Sequence, residues 1–380
     1  MSLWRNQLHG PTDPAKDAGW EDPPPRKGFF TDTSICIGCK ACEVACKEWN
    51  QLPMDHLGMT GDSYDNTSAL GASTWRHVAF VEQDAERVEQ ARESGRLLAE
   101  EGPAGGPATG PRTPVALGLP SLRPGLHRIT EQDVSRAPAT GLPLTGPGTH
   151  VDIGPEATDL EAAEMAARQA AVDGTLPDFR WLIASDVCKH CTHAGCLDVC
   201  PTGALFRTEF GTVVVQADVC NGCGYCVPAC PFGVIERRDR PTDANGERLK
   251  TAVKNEGVAQ KCTLCYDRLE IGAKPACAQA CPTTSIQFGD LSEMRQRAEE
   301  RVEALHTKGF TEARVYGGDE LDGVGGTGSV FLLLDEPEVY GLPPDPRVTT
   351  ADLPDIFRKA GFAAGSMLVG AAIAFLGARS

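Results

Sequence analysis

Hydrophobic and polar positions do not keep one rhythm along this chain, and the changes of rhythm mark its parts. Residues 1–28 are polar and interrupted by Pro11, Pro14 and the run Pro23-Pro24-Pro25, which predicts an extended arm without helix or strand. Residues 74–82, Thr-Trp-Arg-His-Val-Ala-Phe-Val-Glu, alternate closely enough to predict a strand with Trp75, Val78 and Phe80 partly buried. Short apolar runs at 181–184, 213–215, 286–288 and 329–334 predict further strands. Ser292 to Lys308 reads as an amphipathic helix, with Asp290 and Glu293 as a capping box and Gly309 as its stop.

Two stretches depart from this plan. Residues 83–178 read as an insertion: Glu82 to Glu101 is charged and helix-prone, Gly102 to Gly148 is rich in Gly and Pro, and Glu156 to Val172 is an Ala/Glu-rich helix candidate. Such a segment buries too little apolar area to fold alone, and it reads as a surface excursion that contacts a partner. Gly361 to Ala378 is apolar and uncharged, at the lower edge of the length a membrane-spanning helix needs. Ala363, Ser366, Gly370, Ala374 and Gly377 share one face, which suits close packing against another membrane helix. The flanking Arg358, Lys359 and Arg379 do not orient it.

Gly323-Val-Gly325-Gly-Thr-Gly328 matches G-x-G-x-x-G, but a dinucleotide fingerprint follows a strand and opens a helix. Here a polar turn precedes the glycines and a strand follows. The segment is a turn.

A length of 380 residues allows two or three domains, and a net charge of −16 excludes the basic face that nucleic acid requires. No basic segment followed by an apolar one opens the chain, so no signal peptide is expected. Cysteine changes the picture most. All 16 cysteines fall into four quartets: Cys36, Cys39, Cys42, Cys46; Cys188, Cys191, Cys196, Cys200; Cys220, Cys223, Cys226, Cys230; and Cys262, Cys265, Cys277, Cys281. Each begins with C-x2-C and ends with C-x3-C, and Pro201, Pro231 and Pro282 follow three of them. The first and third have the C-x2-C-x2-C-x3-C spacing of bacterial two-cluster ferredoxins. In that motif three thiolates grip one iron–sulfur cube while the fourth reaches the other. Four quartets therefore predict four 4Fe–4S clusters, paired by ligand exchange. A disulfide framework suits short secreted chains. Structural zinc, the other alternative, would make the protein a non-redox scaffold, but it favours paired C-x2-C elements.

With quartets and tail in hand, the chain resembles the iron–sulfur (beta) subunit of membrane-bound respiratory formate dehydrogenase. The resemblance rests on Cys36-Ile-Gly-Cys-Lys-Ala-Cys42, Tyr64-Asp-Asn66, Trp181-Leu-Ile183, Cys220-x-Gly-Cys-Gly-Tyr-Cys226 and Lys261-Cys-Thr-Leu-Cys265 with Asp267-Arg268. Gly323-Val-Gly-Gly-Thr327, Tyr340-Gly-Leu-Pro343 and the terminal apolar helix complete it. It covers about residues 30–82 and 179–378; the insertion is far longer than the family's connection at that point.

The resemblance implies a wire that takes electrons from a molybdenum or tungsten catalytic (alpha) subunit to a membrane cytochrome b (gamma) subunit. It further implies a single-pass place in the cytoplasmic membrane, with the soluble body on the outer face. Under ligand exchange, Cys36, Cys39 and Cys42 hold one cube with Cys281, and Cys262, Cys265 and Cys277 hold its neighbour with Cys46. Cys188, Cys191 and Cys196 pair with Cys230, and Cys220, Cys223 and Cys226 with Cys200. The fold expected is α+β: two nested bacterial-ferredoxin-like dicluster units, a long surface insertion and one C-terminal transmembrane helix. Its parts are an arm (1–28), the first half of the outer unit (29–82), the insertion (83–178), the inner unit (179–240), the second half of the outer unit (241–345), a linker (346–360) and the helix (361–378). No residue is expected to be catalytic. His190, His193, Lys189, Lys261 and Arg268 are expected to tune cluster potentials through hydrogen bonds or charge. The same wire under a hydrogenase, polysulfide reductase or dimethyl sulfoxide reductase type of partner is the rival reading.

Overall fold

The structure is a computed structural model and describes residues 13–57, 67, 69–101, 179–243, 246–348, 350 and 353–377. Its elements in chain order are α1 (Pro14–Asp17), β1 (Lys27–Asp32), α2 (Ala41–Asn50), β2 (Arg76–Gln83), α3 (Ala85–Glu101), β3 (Arg180–Val187), α4 (Gly195–Asp198), β4 (Leu205–Arg207) and β5 (Val213–Val215). There follow α5 (Cys226–Ala229), β6 (Glu236–Arg237), β7 (Ala259–Gln260), α6 (Tyr266–Glu270), α7 (Ala276–Ala280), β8 (Ile286–Asp290), α8 (Leu291–His306), β9 (Arg314–Tyr316), β10 (Ser329–Leu333) and α9 (Leu353–Gly377).

The chain divides into two compact units. One comprises Glu82–Glu89 and Ala108–Arg180. Its described residues include the start of α3, where Asp84 accepts from the Arg87 amide at 3.0 Å, and the Arg180 guanidinium, which donates to Gln83 at 2.6 Å. The expected helix at 156–172 lies outside the described residues. The other unit, Met1–Val81, Gln90–Pro107 and Trp181–Ser380, carries every cysteine.

Its organising sheet runs β8-β1-β10-β9. β1 pairs parallel with β10, Phe30 opposite Val330, and antiparallel with β8, Phe29 opposite Phe288. Because side chains alternate along a strand, the two faces separate cleanly. Phe30, Val330 and Leu332 pack against Leu291, Met294, Ala298 and Leu305 of α8. Phe29, Phe331, Leu333 and Ile286 face the opposite way, into a core shared with Cys42, Cys46, Cys188, Cys262 and Cys277. The sheet thus carries a conventional helix on one side and the thiols on the other. Two-stranded ribbons, β2-β3, β4-β5 and β6-β7, frame the rest.

The expected strands at 74–82, 181–184, 213–215, 286–288 and 329–334 correspond to β2, β3, β5, β8 and β10. Three expectations need correction. The arm is not free of helix: Pro14 occupies the first turn of α1, where its missing N–H costs nothing, and Asp13 accepts from the Ala15 amide at 3.1 Å. Nor does it end at 28, because Lys27 and Gly28 already belong to β1. The capping box of α8 is not made; Asp290 gives no side-chain cap and instead takes the Lys27 ammonium across the sheet.

The expected membrane span is met in part. A helix does form, but among the described residues no helix is long and apolar enough to cross a membrane. α9 opens eight residues before the apolar stretch and so takes in Asp355, Arg358 and Lys359. Phe357, Phe362, Met367 and Leu368 are exposed along it.

Candidate iron–sulfur site

The cysteines reach their places through a recurring local form. In every quartet the second residue after the first cysteine has a left-handed backbone: Gly38 (φ 67°), His190 (43°), Gly222 (72°) and Leu264 (61°). This conformation curls the C-x2-C loop so that successive amides point inward, an arrangement suited to anionic sulfur. The Leu264 amide shows it directly, donating to Cys262 Sγ at 3.3 Å. Glycine serves this position without strain in the first and third quartets, whereas His190 and Leu264 accept strain of the kind found at functional sites.

A helix then separates the later ligands. Cys42 and Cys46 lie four residues apart on α2, and both are buried. Cys277 lies within α7 and Cys281 caps its end, and α7 packs against α2. Cys226 opens α5 and Cys230 caps it, with α4 and its Cys196 alongside.

The packing gathers the thiols across quartets. One cavity is lined by Cys36, Cys39, Cys42 and Cys281, with Val78, Ser185 and Ile286. Another is lined by Cys188, Cys191, Cys196 and Cys230, with Lys189, His190, Phe232 and Lys261. Cys46 lies among Cys262, Cys277 and Cys265; burial first, and then these neighbours, push its thiol well up. Burial and then Cys220, with Cys223 and Cys200 further contributors, push Cys226 up to about 11. Cys39 and Cys223 are exposed, one in each of two different groups.

Neighbouring groups also influence one another electrostatically. After burial, Cys188 is the foremost influence raising Cys262, and Cys226 bears on Cys196.

These residues fit an iron–sulfur cube better than a single ion. Among the described residues no three Cys, His, Asp or Glu side chains converge closely enough to hold one metal ion. All sixteen thiols are free of disulfides, and burial raises many of them. Cys42 rises to about 11 and Cys196 to about 12. Such thiols ionise when a metal centre compensates their charge.

The polar residues singled out in the sequence take different roles. Lys189 is buried, pairs with Asp186, donates to the Val187 carbonyl at 2.9 Å and lies 4.7 Å from the Phe331 ring centre. Lys261 is buried between Val213 and the Cys262 carbonyl, the latter at 3.1 Å, and lines the cavity of Cys188. His190 Nδ1 accepts from the Val213 amide at 3.2 Å, which places the proton on Nε2, a buried nitrogen without a partner. Burial, then Lys261, Arg26 and Arg207, keep this ring neutral. His193 stacks beside Gly325 rather than lining either cavity, and burial and Arg207 lower it too. Arg268 lies 4.2 Å from the Trp49 ring centre and braces α6, away from both cavities.

Sequence reasoning passed over several residues. Arg207 donates to the carbonyls of Gly211, Cys191 and Thr192 at 2.9, 3.0 and 2.8 Å and so fixes the second quartet's loop. Glu43 is buried on α2 and accepts from the Val78 amide, tying α2 to β2. Arg76 and Ser185 meet behind Cys42, with Ser185 Oγ 3.3 Å from Cys42 Sγ and 2.9 Å from Arg76 Nη1. The glycine-rich turn is a clamp on the second quartet: Thr192 donates to the Gly326 carbonyl at 3.0 Å, and Gly328 donates to the Lys189 carbonyl at 2.7 Å.

Comparison with known proteins follows the same outline. A family described as "4Fe-4S dicluster domain" matches residues 179–291. The nitrate-inducible formate dehydrogenase iron–sulfur subunit of Escherichia coli (strain K12) is 31% identical over 324 residues, 84% of this chain and 73% of that protein. The formate dehydrogenase iron–sulfur subunit of Haemophilus influenzae (strain Rd) is 31% identical over 321 residues, 83% and 68% of the two proteins. A subunit of the anaerobic dimethyl sulfoxide reductase of Escherichia coli (strain K12) is 38% identical, but over 110 residues, 29% of this protein and 46% of that subunit.

Proposed function

The chain belongs to the formate dehydrogenase iron–sulfur subunits, and from that premise we propose that it carries electrons through four 4Fe–4S clusters between a molybdenum or tungsten catalytic subunit and a cytochrome b. The observation that carries this reading is the gathering of Cys188, Cys191 and Cys196 with Cys230, a thiol from a different quartet. Cys36, Cys39 and Cys42 with Cys281 repeat it. Each of these sets is proposed to hold one cube, with Cys262, Cys265, Cys277 and Cys46 holding a third and Cys220, Cys223, Cys226 and Cys200 a fourth.

The neighbour relations support one order along the wire. Cys42 and Cys46 share α2, the charge of Cys188 bears on Cys262, and that of Cys226 bears on Cys196. The first and last groups then lie at the ends, where Cys39 and Cys223 are exposed and electrons can enter or leave. When bound, the cubes supply one-electron redox chemistry. The chain's own work is to hold them, exclude water and set the local field through residues such as Lys189, Lys261 and Arg207.

Formate dehydrogenase is favoured over a dimethyl sulfoxide reductase as the upstream enzyme because that resemblance spans 84% of the chain against 29%. The test is electron paramagnetic resonance on the anaerobically isolated complex. Formate alone should reduce the iron–sulfur signals rapidly. Reduction by dithionite but not by formate, with an intact catalytic subunit, would move this chain to a different upstream enzyme.

A further inference from the structure

Arg76 is 1% exposed, among the largest fully buried side chains in the protein. It starts β2, and its guanidinium lies 4.8 Å from the Phe29 ring centre, on the thiol side of the main sheet. Nη1 donates to the Ser185 carbonyl at 3.2 Å and to Ser185 Oγ at 2.9 Å. Nε and Nη2 are buried and have no hydrogen-bond partner. Among the described residues no carboxylate forms an ion pair with it; the acidic groups that bear on it are the thiols of Cys277, Cys42, Cys262 and Cys46. A guanidinium stays charged at every physiological pH, and burying one without a counter-charge costs many kcal/mol. The protein keeps this one in its core with two donors unspent.

The four thiols name the counter-charge. Cys42 belongs with Cys36, Cys39 and Cys281. Cys277, Cys262 and Cys46 belong to the adjacent group. Arg76 therefore stands where two thiol groups meet, and only an anionic occupant of each would balance it. Ser185 anchors the arrangement, since its hydroxyl meets both Cys42 Sγ and Arg76 Nη1.

We infer that Arg76 is the electrostatic bridge between the cube held by Cys36, Cys39, Cys42 and Cys281 and the cube held by Cys262, Cys265, Cys277 and Cys46, raising the reduction potentials of both. The inference rests on the four-cluster wire proposed above. A fixed positive charge favours the state with one more electron, and hydrogen bonds from Nε and Nη2 to cluster sulfur act in the same direction. Because both cubes feel the same charge, Arg76 raises the two potentials together and leaves the difference between them largely unchanged. No bond is made or broken, and no proton is needed. Arg76 is a positioning residue of the wire.

The experiment is a redox titration of the intact complex followed by electron paramagnetic resonance, for wild type, Arg76→Gln and Arg76→Lys. The wild type must first show four clusters; fewer would defeat the wire reading itself. In Arg76→Gln the reduction equilibria of two clusters should fall about tenfold or more, about 59 mV for a one-electron couple, with the other two unmoved. Arg76→Lys keeps the charge but loses the fork, and should give a smaller fall in the same two. Potentials unchanged in Arg76→Gln, or lowered equally in all four clusters, would overturn the inference. If Arg76→Gln does not assemble, unchanged potentials in Arg76→Lys would overturn it as well.

Discussion

Cys226 and Cys230 stand at the two ends of α5, one helical turn apart, and yet belong to different thiol groups. Cys226 neighbours Cys220, Cys223 and Cys200, whereas Cys230 closes the cavity of Cys188, Cys191 and Cys196. Four helical residues rise about 6 Å, so the second thiol stands one turn further along the helix than the first. Cys42 and Cys46 on α2 repeat the relation, and α2 and α7 each contribute to both outer groups.

This relation predicts which single substitutions share a phenotype. Cys230→Ala and Cys196→Ala should abolish the same paramagnetic signal and lower the cluster count from four to three. Cys226→Ala should abolish a different one. If Cys230→Ala and Cys226→Ala instead removed the same signal, each quartet would serve its own cube and the nesting would be wrong.

The two faces of the main sheet predict separable effects. Phe30 packs under α8 and Phe331 faces the thiols, and both are 1% exposed. Truncating either to alanine should cost about 3–5 kcal/mol, measured by denaturant unfolding. Only Phe331→Ala, which loses the ring beside the Lys189 ammonium, should also disturb cluster spectra. A spectral change in Phe30→Ala would show that α8 couples to the clusters after all.

Gly38 predicts the cost of filling a C-x2-C loop. A Cβ there would lie 2.6 Å from the Phe80 ring, and the left-handed backbone alone adds about 1–2 kcal/mol for a non-glycine residue. Gly38→Ala should therefore lower the iron retained in the cube of Cys36 while leaving that of Cys220 intact. The double variant Gly38→Ala with Phe80→Ala removes the clash and should recover part of the loss; no recovery would place the cost in the backbone alone.

The chemistry was the most legible part of this sequence, because cysteine type and spacing are local and specific. The quartets, and the strands at 213–215 and 329–334, could be read directly. What stayed hidden depends on distant packing. In the strand pattern Arg76 shares a face with Val78 and Phe80, but nothing nearby announces that Cys42 and Cys277 fold around it. Asp290 reads as a helix cap until the sheet brings Lys27 to it. The short helix at Pro14 turns on one aspartate, Asp13, against a background of prolines.

The central claim, that every cysteine is a ligand of a cube, is tested most directly by iron and acid-labile sulfide analysis of the anaerobically purified protein. Four irons in each of four cubes, over 16 cysteines, give one iron and one sulfide per cysteine. A colourless protein with about one zinc for every four cysteines and no sulfide would contradict the account and make the quartets structural.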